Sequence, residues 1–100
     1  MNFFQKFIDE TLRAIGYITR DNYQSLISVK KVREFYEIDS TNYTKVNFYW
    51  RCLNYLEENR IITRVGTSVP KRYRVFNFYK FFDLLYHSYL NRVELATSAE

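Results

Sequence analysis

The spacing of apolar residues changes twice along this chain, and that restricts the fold more than any other sequence feature. Up to about residue 59, apolar side chains recur at three- and four-residue steps, as in helices buried on one face. The run Ile61-Ile62-Thr63-Arg64-Val65 is then β-branched, and Lys71-Arg72-Tyr73-Arg74-Val75-Phe76 alternates basic with apolar residues. From Phe78 the helical step returns. Helices, one strand pair and a closing helix define an α+β chain that is mostly helical. One hundred residues hold a single domain, 1–100, with a modest core.

The first helix places Phe4, Phe7, Ile8, Thr11, Ile15 and Ile18 inside, with Lys6, Asp9, Glu10 and Arg13 outside. Residues 20–25 read as a loop, and Leu26-Ile27 as a short strand. Ser28 is positioned to cap a helix from Val29 to about Tyr36, with Ile27 and Val32 as its hydrophobic staple. The turn residues Asp39-Ser40-Thr41-Asn42 precede the clearest helix, about 42–59. Val46, Trp50, Leu53 and Glu57, flanked by Tyr49 and Leu56, form its expected core stripe. At about 100° per residue the opposite face shows Thr44, Asn47, Phe48, Arg51, Asn54 and Tyr55. Gly66 to Pro70 is turn chemistry joining the two strands. The last helix, about 78–92, has a wide apolar arc that includes Phe81, Phe82, Leu85, Tyr86, Tyr89, Leu90 and Val93. The tail Ala96 to Glu100 is expected to fray.

The formal charge of +4 is not spread evenly. Residues 1–40 carry six basic and six acidic side chains, net zero. Residues 41–80 carry eight basic and two acidic, net +6, and residues 81–100 one basic and three acidic, net −2. The excess therefore sits on one helix and one hairpin. A local field of that kind suits a polyanion better than a small neutral ligand.

Several classes are excluded on residue type. One cysteine allows no internal disulfide, and one histidine with one cysteine cannot supply the usual zinc ligands. Gly16 and Gly66 stand too far apart for a glycine-rich phosphate loop. No apolar run reaches the ~18 residues of a membrane span, and Met1 to Phe7 lacks a signal-peptide pattern. Ten tyrosines invite a tyrosine nucleophile, but His87 alone cannot provide the partners that chemistry needs. The expectation is an intracellular, cytoplasmic protein, with no catalytic residue, metal or cofactor and no small-molecule effector.

The order of elements resembles a winged helix-turn-helix domain. The likeness is carried by Leu26-Ile27-Ser28 leading into Val29–Tyr36, the turn Glu37–Thr41, and the helix Asn42–Asn59. It continues through Leu56-Glu57-Glu58-Asn59-Arg60-Ile61-Ile62-Thr63-Arg64-Val65-Gly66, which looks like the passage into the wing, and Lys71-Arg72-Tyr73-Arg74-Val75 as the return strand. The family often has Gly before the two apolar residues; Asn59-Arg60 stand there instead, and Asn also tolerates the left-handed conformation. The resemblance implies an amino-terminal helix, a helix-turn-helix at about 28–59, a two-stranded wing at about 61–78, and a carboxy-terminal helix. The aromatic-rich, glycine-poor format also resembles small winged-helix proteins of archaeal viruses and plasmids, which would place the chain in a host cytoplasm.

That likeness implies a sequence-specific double-stranded-DNA-binding protein, a transcriptional regulator acting as a homodimer. Asn47 and Arg51 are the expected base readers, because amides pair with adenine and guanidinium with guanine. Tyr43, Thr44 and Lys45 lie nearer phosphates, with Phe48 and Asn54 on the same face. Arg64, Lys71, Arg72 and Arg74 supply the wing. Phe4, Phe7, Phe78, Phe81, Phe82, Leu85 and Tyr89 are the expected dimer contacts. Two other classes fit the same residues: a protein–protein adaptor using Phe48 and Tyr55, or a single-stranded nucleic-acid binder stacking bases on aromatics.

Overall fold

The computed structural model describes residues 3–67 and 69–98, with side chains over 4–67 and 69–91. Helix α1 (Phe3–Ile18) lies against all three other helices and forms the hub of the fold. Phe7, Ile8, Leu12, Ala14 and Ile15 are buried on it, as the periodicity predicts for most of them. Asp9, expected outside, is also buried. Its carboxylate accepts hydrogen bonds from Gln5 Nε2 at 2.9 Å and from Asn91 Nδ2 at 3.3 Å on the last helix. Those donors offset the cost of burying a charge. Gly16 admits the last helix closely: a Cβ there would lie 3.1 Å from Leu85 Cδ2.

The short strand expected at Leu26-Ile27 reduces to one bridge. Ile27 N donates to Tyr73 O at 2.7 Å and Tyr73 N donates to Ile27 O at 2.8 Å. Helix α2 (Val29–Phe35) follows, with Ser28 Oγ accepting from Lys31 N at 3.2 Å as its amino-terminal cap. Ile27 and Val32 are both fully buried, consistent with the staple. Helix α3 (Tyr43–Glu58) starts one residue later than expected, with Asn42 Oδ1 accepting from Lys45 N at 3.3 Å.

Both α2 and α3 end in the same motif. At the end of α2, Ile38 N donates to Arg33 O at 2.9 Å and Glu37 N to Glu34 O at 3.0 Å. At the end of α3, Ile61 N donates to Leu56 O at 3.0 Å and Arg60 N to Glu57 O at 2.9 Å. These are Schellman caps, which need a left-handed residue just past the helix. Here that residue is Glu37, with φ 55, and Arg60, with φ 58. Asn59, whose tolerance for that conformation the sequence invokes, keeps φ at −88. The six-to-one hydrogen bond runs from the second residue past Asn59, so the left-handed turn must fall on Arg60.

The buried face of α3 is rotated from the expected stripe. Tyr49, Cys52, Leu53 and Leu56 are buried, Val46 and Glu57 are half-buried, and Trp50 is 43% exposed. The reason is that α3 packs between α1 and α2, which pulls Cys52 inward and turns Trp50 toward the hairpin. Strands β1 (Ile62–Arg64) and β2 (Tyr73–Val75) pair antiparallel with Ile62 opposite Val75 and Arg64 opposite Tyr73. The strands are shorter than predicted. Their inward residues Ile62, Tyr73 and Val75 close the core over α3.

Helix α4 (Phe78–Ser98) is started by Asn77, whose Oδ1 accepts from Lys80 N at 3.0 Å. It runs past the expected stop near 92, so Ala96 is helical rather than frayed. Ala99, Glu100 and the Val93 side chain lie outside the described residues. Phe81 and Ser88 are buried against α1, with Leu84 and Leu85 half-buried beside them. Among the described residues, no helix is long and apolar enough to cross a membrane.

Candidate functional site

With Tyr49, Cys52, Leu53 and Leu56 inside, the helical repeat sends Tyr43, Asn47, Arg51 and Asn54 to the opposite side of α3. Tyr43, Thr44, Asn47 and Arg51 are exposed there and Asn54 is half-buried, while Lys45, exposed in the first turn, lies on the same line as Tyr49 and Cys52. The rotation of the core stripe thus leaves Thr44, Asn47 and Arg51 exposed and draws Phe48 and Asn54 of the expected outer face half inside.

Two aromatics expected on that face are engaged within the chain. Phe48 stacks on Phe7 of α1, ring centroids 4.4 Å apart and planes at 4°. Tyr55 meets Phe4 edge-on at 5.9 Å. The Arg51 guanidinium carbon lies 5.8 Å from the Phe48 ring centre, which leans its stem toward α1 while the group stays exposed.

The hairpin basics do not form one cluster. Arg64 and Tyr73 are opposite partners, so Arg64 shares the inward side and is half-buried. Lys71 belongs to the same side by alternation. Its Nζ sits 4.5 Å from the centre of the Trp50 ring. Arg72 and Arg74 point the other way and are exposed. Burial pushes the Tyr73 phenol above its ordinary value; Glu57 adds to that shift and Arg64 opposes it.

Arg72 is joined by two residues that sequence reasoning passed over. A groove of about 390 Å³ between the start of α2 and the hairpin is lined by Ser28, Lys30, Lys31, Glu34 and Arg72. Lys31 Nζ donates to Leu26 O at 2.7 Å, and Lys30 lies 3.9 Å from Glu34. The signal was present: a Lys-Lys pair opens the helix that directly follows a strand residue. Counted within the neutral first forty residues, it disappears.

The expected dimer contacts also divide. Phe7 and Phe81 are buried in the chain's own core, and Phe4, Phe78 and Leu85 are half-buried against it. Phe82 and Tyr89 remain exposed. Cys52 is fully buried, and burial pushes its thiol up to about 11, with a hydrogen bond to Thr11 pulling the other way. Among the described residues, no group of three or more His, Cys, Asp or Glu is placed to hold a metal ion.

Comparison with known proteins finds no matching family model, no matching curated protein and no matching solved structure.

Proposed function

We propose that this chain is a winged-helix, sequence-specific double-stranded-DNA-binding protein that acts as a transcriptional regulator. In this reading the amino-terminal half of α3 enters the major groove and the hairpin lies on the flanking backbone. The observation that carries it is the contact between Lys71 and Trp50, which holds the basic hairpin beside the exposed face of Asn47 and Arg51. The Asn47 amide can both donate to and accept from a base edge and the Arg51 guanidinium can donate to one, whereas Lys45 and Arg72 suit phosphates. The element order supports the fold assignment: α1, a bridge at Ile27, α2, α3, then the antiparallel pair β1 and β2. The adaptor reading is weakened at Phe48, which is half-buried and stacked on Phe7, while Tyr55 meets Phe4 edge-on and stays exposed.

The test is a gel shift with random-sequence duplex at low salt, with single-stranded competitor in parallel lanes. The expected result is a salt-sensitive shift that duplex competes for better than single strand. No shift at micromolar protein would sink the reading in favour of a protein partner. Better competition by single strand would sink it in favour of base stacking.

A further inference from the structure

Where α1, α2 and α4 meet, Glu10, Arg13, Phe35, Tyr36 and Tyr89 line a groove of about 450 Å³. That volume is at the small end of the ~300–1,000 Å³ usual for small-ligand sites. None of the five belongs to the proposed DNA face. The aromatic wall is fixed from within. The Tyr36 hydroxyl donates to Glu10 O at 2.6 Å, and its ring stacks on buried Tyr49, centroids 6.1 Å apart and planes at 13°. Phe35 meets Tyr36 edge-on at 4.8 Å and Tyr17 at 4.9 Å. Phe35 is nonetheless 36% exposed and Tyr89 48%, so ring surface is left open. A wall held in this way costs little ordering when a ligand arrives.

The charges in the groove decide what it can hold. Glu10 and Arg13 stand one turn apart on α1, a spacing at which opposite charges are neighbours with Cβ atoms about 5–6 Å apart. Among the described residues, neither takes part in an ion pair. Arg13 Nη1 instead donates to Ser88 O on α4 at 3.3 Å, a long bond that uses one of the guanidinium's N–H donors. Both side chains are half-buried and both act on Tyr36: burial raises its phenol pKa, Arg13 opposes the rise and Glu10 adds to it. A plain anion here would gain Arg13 and be repelled by Glu10, and a plain cation would meet the reverse. A molecule with both charges on one carbon satisfies both groups. The open faces of Phe35 and Tyr89 then suit an apolar or aromatic side chain.

We infer that this groove binds a free α-amino acid with an apolar or aromatic side chain, its carboxylate on Arg13, its ammonium on Glu10 and its side chain against Phe35 and Tyr89. The expectation from sequence is no small-molecule effector, because Glu10 and Arg13 read as the outer face of α1. The fold sets Phe35, Tyr36 and Tyr89 over that face. The site stands independently of DNA binding.

An NMR titration of the isotope-labelled, DNA-free chain tests it, with L-phenylalanine and L-leucine as probes. Each should give saturable amide shifts around Glu10, Arg13, Phe35 and Tyr89, with a Kd below about 1 mM. Hydrocinnamate, which lacks the ammonium of L-phenylalanine, and phenethylamine, which lacks its carboxylate, should each bind at least about tenfold more weakly. Glu10→Gln should lower L-phenylalanine to the affinity of hydrocinnamate and leave hydrocinnamate no weaker. Arg13→Gln should do the same with respect to phenethylamine, and the spectra show directly that each variant is folded. A variant that merely loosened the groove would weaken all three ligands alike, and that result overturns the inference. Absence of saturable shifts with both amino acids at about 10 mM overturns it too, as do shifts that map away from the groove. A failed gel shift beside an intact, variant-sensitive amino-acid titration would remove the DNA reading alone.

Discussion

Lys71 Nζ lies 4.5 Å from the centre of the Trp50 ring, and this cation–π contact joins the hairpin to the helix beside it. Such a contact at a partly exposed site contributes about 0.5–1 kcal/mol. It also makes Trp50, the single tryptophan of the chain, a reporter on the proposed DNA face. Lys71→Ala should change the emission of the free protein while lowering stability by no more than about 1 kcal/mol. Duplex DNA should change Trp50 emission along the same isotherm as the gel shift. Emission indifferent to saturating duplex would place DNA away from α3.

The two Schellman caps predict a gain rather than a loss. Glu37 and Arg60 hold left-handed backbone, which costs a residue with a Cβ roughly 1–2 kcal/mol. Glu37→Gly and Arg60→Gly should each raise unfolding free energy by about 1 kcal/mol in urea titrations, after the greater chain entropy of glycine is allowed for. Alanine at either position should bring no such gain, because it keeps the Cβ. Destabilisation by both glycines would mean that the charged side chains matter more than the backbone strain.

These caps also mark where sequence reading stops. Helix positions, the Ser28 cap and the alternation of the second strand were legible because periodicity and capping chemistry are local. The left-handed residue at the end of α3 was not, since it is fixed by hydrogen bonds to Leu56 and Glu57 rather than by intrinsic preference. The rotation that exposes Trp50 was hidden for a similar reason. Tryptophan on an apolar line reads as core until Lys71, twenty-one residues later, is seen above it. Asp9 read as solvent-facing because its donor Asn91 comes from the far end of the chain. Thr44, Asn47 and Arg51 stay exposed because they fall outside both the expected and the observed buried stripe of α3.

Alkaline pH should unfold this protein early. Burial, with Glu10 nearby, pushes the Tyr49 phenol far above its ordinary value of 10.0. Burial pushes the Cys52 thiol from 9.0 to about 11. Both folded pKa values are raised, so the unfolded chain releases its protons first. The associated stability is complete below pH 9 and is lost as pH rises, through about 11 for Cys52 and higher for Tyr49. Each fully buried group contributes a slope of about 1.4 kcal/mol per pH unit within its window. Urea midpoints measured from pH 7 to 11 should fall above pH 9. Tyr49→Phe should flatten the decline above pH 10, and Cys52→Ala should delay its onset. In native protein at pH 8, Cys52 should resist thiol reagents.

The Phe7–Phe48 stack separates a packing role from a DNA-contact role for Phe48. Phe48 is half-buried, and truncation to alanine removes its ring from a 4.4 Å stack. Phe48→Ala should lower unfolding free energy by about 1–3 kcal/mol. In the temperature range where the variant remains folded, duplex affinity should change less than about twofold, or roughly 0.4 kcal/mol. A large affinity loss with unchanged stability would return Phe48 to the binding face.

Arg51 and Arg72 should fail in different ways. Arg51 stands exposed on the middle turn of α3 and leans over Phe48, a position from which a guanidinium can reach a base edge. Arg72 lines the groove with Lys30 and Lys31, a setting for phosphate. Arg51→Ala should cost about 1–3 kcal/mol on the preferred duplex and narrow the gap between preferred and random sequence. Arg72→Ala should weaken every duplex alike and reduce the slope of log affinity against log salt by about 1. Lys30→Ala should behave like Arg72→Ala, since both side chains line one groove. Fluorescence anisotropy with a selected and a scrambled duplex, at several salt concentrations, reads all three. If Arg51→Ala changes only the salt slope while Arg72→Ala changes base preference, α3 and the hairpin exchange roles in the proposed complex.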